Sequence, residues 1–152
     1  MLHKKYLLQS LGLFAIVYLI LVLPFFGFQE IYADFYRSQG EKYFGAFGES
    51  GYVVFEGHPD NGTDDTRIYQ TNTKLVNSKG DVESVPYNIS TRILGYLPSI
   101  LLIALFLATP ISWIKRLLLL VGGFFLLHSI LMFFLYVLIK VKFMQTPWLK
   151  MY

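Results

Sequence analysis

The side chains best placed for chemistry are few and scattered. His128 stands inside an uncharged apolar run, where an ionisable ring usually faces neighbouring helices and finds a partner. Two readings fit it: a neutral imidazole satisfied by an interhelical hydrogen bond, or a proton-relay or catalytic role. Gly122 and Ser129 lie near it at a spacing of seven, which puts them on one helix face where small side chains permit close packing. Arg92 sits where a polar stretch gives way to an apolar one. There it reads as a snorkelling interface anchor, or as a contact for an anionic lipid or partner.

Asp60, Asp64 and Asp65 surround Asn61-Gly62-Thr63, an oxygen-rich and glycine-containing loop of the sort that can hold calcium. The spacing departs from the calcium loop of an EF-hand, because no glutamate stands at the twelfth position from Asp60. The expectation is therefore a solvated turn and no metal, with Asp60, Asp64 and Asp65 as weak candidates only. No cysteine is present, which removes a thiol nucleophile, a disulfide framework and a cysteine zinc site. GxSxG, HExxH, P-loop and dinucleotide patterns are absent as well. No catalytic residue and no cofactor are expected, and His58 with Asp60 is the least implausible acid-base pair. Asn61-Gly62-Thr63 and Asn88-Ile89-Ser90 match the glycosylation sequon, which matters only in a eukaryotic secretory pathway.

The elements that must position these residues are read from hydropathy. Three uncharged apolar runs, residues 6–28, 93–114 and 117–139, are each about long enough to cross a bilayer as a helix. The first follows His3-Lys4-Lys5 and reads as an uncleaved anchor, since it exceeds the apolar core of a signal peptide and no small-x-small site follows. Pro98 and Pro110 fall near the two ends of the second, where proline disturbs a helix least. Residues 29–44 space their apolar positions helically and extend the first helix, with Gly40, Gly45 and Gly48 weakening and ending it. Residues 51–87 change to a β pattern of about three antiparallel strands, the last two joined by a turn at Asn77-Ser78-Lys79-Gly80. A basic aromatic tail occupies 140–152.

The expected fold class is thus an α-helical integral membrane protein, with three transmembrane helices and a small extracytoplasmic antiparallel β domain over 29–91. Composition agrees: 55% of the 152 residues are hydrophobic and 18% aromatic, more than a soluble domain of this size can hide. All ten acidic residues lie between Glu30 and Glu83, so the water-exposed part is there. Against thirteen Lys and Arg the net charge is only +3, and nucleic acid is not an expected partner. With three spans, Lys4, Lys5, Lys115 and Arg116 share one side, which places the N-terminus in the cytoplasm.

The stretch from Asn88 to Pro98, with Leu105-Phe106-Leu107-Ala108-Thr109-Pro110 and Trp113-Ile114-Lys115-Arg116, resembles small integral membrane proteins associated with exosortases. The resemblance covers about residues 87–128. It implies a bacterial inner-membrane accessory near a system that sorts proteins with C-terminal membrane anchors. The sorting enzyme's cysteine is not supplied, so this chain is not that enzyme. The expected function is a non-enzymatic accessory or partner-binding subunit of a membrane assembly. The lipid bilayer and a membrane-protein partner, or further copies of this chain, are its expected partners. The competing expectation is a small oligomeric transporter or proton-coupled subunit using His128.

Overall fold

The computed structural model describes residues 2–23, 27–57, 65–76, 80–146 and 149, with side chains from Tyr6 onward. Among the described residues, four helices and four strands succeed one another as α1 (Leu2–Val22), α2 (Phe28–Phe44), β1 (Ala46–Phe47), β2 (Gly51–Gly57), β3 (Thr66–Val76), β4 (Val82–Ile89), α3 (Leu97–Ala108) and α4 (Trp113–Gln145). A π-helical turn, Arg92–Tyr96, leads directly into α3.

The expectation of three transmembrane helices is overturned. Among the described residues, one helix, α4, is long and apolar enough to cross a membrane. The other apolar helical stretches, Tyr6–Val22 and Arg92–Ala108, are shorter. The second run expected over 93–114 stops at Ala108 because Thr109 turns to an extended conformation (φ −70°, ψ 130°), the backbone favoured before a proline such as Pro110. The Arg116 guanidinium closes the turn that follows, donating to the carbonyls of Thr109 at 2.7 Å and Ile111 at 3.4 Å. The first run stops as a helix at Val22, and a separate helix begins at Phe28. The third run extends past both expected ends to 33 residues, about 50 Å of helix.

The sheet has four antiparallel strands in the order β1-β2-β3-β4, where the sequence pattern suggested about three. β1 is two residues long, too short to leave an alternating pattern. β4 runs on through Pro86, which an edge strand tolerates because one of its sides is unpaired. Val53 and Phe55 of β2, Ile68 of β3 and Ile89 of β4 point inward and meet Tyr36 and Phe44 of α2. Leu135, Ile139 and Phe143 complete this core from α4, spaced four apart on one face of the helix. The C-terminal third of α4 is therefore the wall on which the small domain is built.

Two residues tie the layers together. Gly40 does not end α2; the helix passes through it, and a side chain there would overlap the Phe55 ring, 2.7 Å from an ideal Cβ. Glycine is what lets α2 lie close on β2. Gln70 of β3, fully buried, donates from its amide to the Ile139 carbonyl of α4 at 3.0 Å and to the Tyr87 hydroxyl at 3.3 Å. Elsewhere α1 lies along α3, and α3 against the N-terminal half of α4, where Gly123 faces Leu102 and Phe106.

Candidate functional site

The polar groups of the helical layer converge where α2, the π-helical turn and α4 meet. The Tyr32 hydroxyl lies 3.2 Å from His128 Nε2, and His128 Nδ1 lies 2.9 Å from the Phe124 carbonyl. A carbonyl only accepts, so Nδ1 carries a proton, and in the tautomer that leaves Nε2 bare this nitrogen accepts from the phenol. Tyr32 suits the donor role because burial pushes its phenol above the usual value, an effect the nearby Ser99 hydroxyl opposes. Ser99 is itself buried, and its Oγ has no partner in hydrogen-bond geometry.

Aromatic rings hold this pair in place. Phe124 lies across the imidazole at 3.9 Å between centroids, and Phe35 meets it edge-on at 5.8 Å. Tyr96 contacts Tyr32 at 5.8 Å and donates its hydroxyl to the Leu21 carbonyl, satisfying the last turn of α1. The π-helical turn brings Gly95 under the Tyr32 hydroxyl, in the space a side chain would fill. Single π turns inside helices often mark functional positions, and here the turn provides the seat for Tyr32.

His128 does not stand among membrane helices alone. α2 runs beside α4 from this level upward, since Tyr32 and Phe35 touch His128 while Phe44 contacts Tyr136. α2 carries Glu30, Asp34, Arg37, Glu41 and Lys42, so one side of α4 beyond His128 is flanked by a charged helix. Between the two helices opens a groove of about 510 Å³, walled by Phe35 and Tyr43 on one side and Phe125 and Met132 on the other. Gln39, His128 and Ser129 are its polar points. A second groove of about 430 Å³, between α1 and α3, is lined almost wholly by apolar side chains.

The remaining sequence candidates separate. Gly122 and Ser129 are exposed; nothing lies within 4 Å of a side chain built at Gly122, and Ser129 donates to the Phe125 carbonyl at 2.9 Å. Gly123, not Gly122, makes the helix contact within the chain. The Arg92 side chain is exposed, and its backbone amide donates to Asp65 Oδ2 at 3.2 Å. Asp65 also accepts from the Thr91 amide at 2.9 Å and the Thr66 hydroxyl at 3.2 Å, so its carboxylate caps the helix start. Arg37 ties α2 to the same place, reaching the Asp65 carbonyl and Thr66 while pairing with Asp34. His58, Asp60 and Asp64 lie outside the described residues, and among the described residues no three metal-ligating side chains cluster.

Sequence reasoning missed Tyr32, Ser99 and Gln70 as polar tethers. Tyr32 carried the only usable signal, a helically spaced aromatic in a charged segment. Comparison with protein-family models, curated proteins and solved structures finds no match to this chain.

Proposed function

We propose that this chain is a membrane-anchored, non-enzymatic accessory subunit, held in the bilayer by α4 and binding another membrane protein. The observation that carries the reading is the open groove between α2 and α4. It is apolar on both walls, with a few fixed polar points, as recognition surfaces within membranes are. The polar pair beside it supports binding over catalysis. Both His128 nitrogens already have partners, the Ser129 hydroxyl is spent on the Phe125 carbonyl, and no carboxylate is among the residues that line the groove. A link to exosortase-type protein sorting, and a bacterial plasma-membrane location, rest on the resemblance over residues 87–128 alone.

The test is purification of the tagged full chain from its native membranes in mild detergent, with a mock-tagged control. Recovery of a membrane protein at a constant ratio, reduced by Gln39→Ala or His128→Ala without loss of the chain itself, is expected. Recovery of the chain alone, under conditions that keep a known membrane complex together, overturns the reading. The second reading, a proton-coupled subunit, draws on one contact: the Tyr32 hydroxyl between His128 Nε2 and Ser99. With the Ser99 Oγ outside hydrogen-bond geometry, it rests on the Tyr32–His128 contact and requires proton flux in reconstituted vesicles that Tyr32→Phe abolishes; a flat trace discards it.

A further inference from the structure

On the side of α4 turned away from the sheet, Leu119, Leu126, Phe133, Val137, Val141 and Met144 form an exposed row at helical spacing. Leu126 is 62% exposed, Phe133 68% and Met144 74%. Gly122 and Ser129 flank the row with small residues, at positions that let a second helix approach closely along that edge. From Leu119 to Met144 the row is about 38 Å long, while a hydrocarbon core is about 30 Å thick. Its upper part stands where the opposite face of α4 carries the small folded domain, through Leu135, Ile139 and Phe143. A core of that thickness starting at Leu119 ends near Ile139, so lipid tails leave Val141 and Met144 uncovered, beside a domain whose Asp34, Glu56 and Glu83 are exposed to water.

Charge decides between the remaining occupants. α4 holds Lys115, Arg116, Lys140 and Lys142 and no carboxylate. Lys140 is exposed on the same side as the row and lies over the Tyr136 ring. Two copies crossing the membrane in the same sense would pair their α4 helices in parallel and set Lys140 against Lys140, an unfavourable like-charge contact. From the geometry we infer that the row Leu119–Met144 is the docking face for an apolar helix of a different membrane protein, one that carries a carboxylate level with Lys140. This deepens and rests on the accessory reading. It gives that reading a surface and a partner chemistry, with the groove at Ser129 lying alongside.

Because the chain has no cysteine, Phe133→Cys supplies a single crosslinking point. The full chain is reconstituted in phosphatidylcholine vesicles with three synthetic membrane-spanning peptides of Leu and Ala. Each peptide bears one cysteine and differs from the others only in Glu, Gln or Lys at the Lys140 level. The expected adduct yield falls in the order Glu, Gln, Lys, with about fivefold between the extremes. Lys140→Glu inverts the order. Equal yields from the three peptides overturn the inference, as does a Phe133→Cys homodimer dominating every sample, or an equal yield when the cysteine is moved to Tyr69 on the outer sheet face. Any of these with a partner still recovered from native membranes leaves the accessory reading standing and removes only this surface.

Discussion

The Tyr32 hydroxyl occupies the volume that a side chain at Gly95 would need, so helix α2 is seated on the π-helical turn through a single missing methyl group. Gly95→Ala should push the phenol away and break its contact with His128 Nε2. Overpacking of this kind costs about 1–3 kcal/mol. Unfolding in detergent, followed by circular dichroism, measures it. In a Tyr32→Ala background the added methyl group has room, so the cost should largely disappear, and a double-mutant cycle would record the coupling. An equal cost in both backgrounds would place the glycine's role elsewhere.

Asp65 caps the start of the π-helical turn that leads into α3. Its carboxylate accepts from the amides of Thr91 and Arg92, donors that a helix N-terminus leaves unpaired. Asp65→Ala should lower stability by about 1–2 kcal/mol, and Asp65→Asn by less, because an amide oxygen still accepts. Thermal unfolding of the two variants side by side gives the ranking. Equal losses would mean that the charge, not the acceptor, does the capping.

The legible parts of this fold were those written in local pattern. Alternation over Tyr52–Glu56 and Arg67–Val76 marks strands because each buries one face, and helical spacing over 29–44 falls on α2. Hydropathy misled where it was used to count spans, since an apolar run does not reveal that Thr109 turns extended or that the first helix stops at Val22. In the sequence Asp65 reads as part of an acidic loop because its partners, Thr91 and Arg92, are distant along the chain. His128 stands out in the sequence as a ring that needs a partner; the structure sets Tyr32 beside it from 96 residues away, and nothing in either segment names the other.

Two tyrosines should make the protein fail in alkali. Burial raises the phenols of Tyr36 and Tyr87 above the ordinary value near 10, while the Gln70 amide partly offsets this for Tyr87. Their folded-state values lie above the unfolded ones, so the stability linked to each is complete below about pH 10 and is lost as pH rises through the folded value. Each group should contribute a slope of about 1.4 kcal/mol per pH unit in that window. Absorbance near 295 nm should show both ionising only as the chain unfolds, and Tyr36→Phe should remove one group's share. Ionisation of both phenols in the intact fold would contradict the burial.

Membrane anchoring should depend on the N-terminal half of α4. Val121 is 62% exposed, within the uncharged part of that helix. Val121→Asp should cost insertion free energy, less than the about 2.5–3.5 kcal/mol that an aspartate costs at a helix centre. The same change at Gln145, at the helix end, should cost little. Alkaline carbonate extraction of membranes, comparing the pelleted fraction of each variant, reads the difference, and equal pelleting of both would remove α4 as the anchor.

Gln70 links the sheet to α4, and its chemistry can be tested one atom at a time. Gln70→Leu removes both donated hydrogen bonds, but it also removes Oε1, which is buried without a partner. The two effects oppose, and a loss of about 1–2 kcal/mol is expected. Gln70→Glu places a carboxyl against the Ile139 carbonyl. When neutral, the acid can donate one hydrogen bond there; when ionised, it cannot, and a buried unpaired charge costs about 3 kcal/mol or more. Burial raises the folded-state value of this carboxyl above the ordinary 4.3, so the variant is at its best below about pH 4. It loses stability as pH rises through the folded-state value, a window in which the parent protein, with no group to titrate at this position, has no matching loss. Equal pH profiles for Gln70→Glu and the parent would mean that water reaches the site, and that the tether between sheet and helix is not buried in solution.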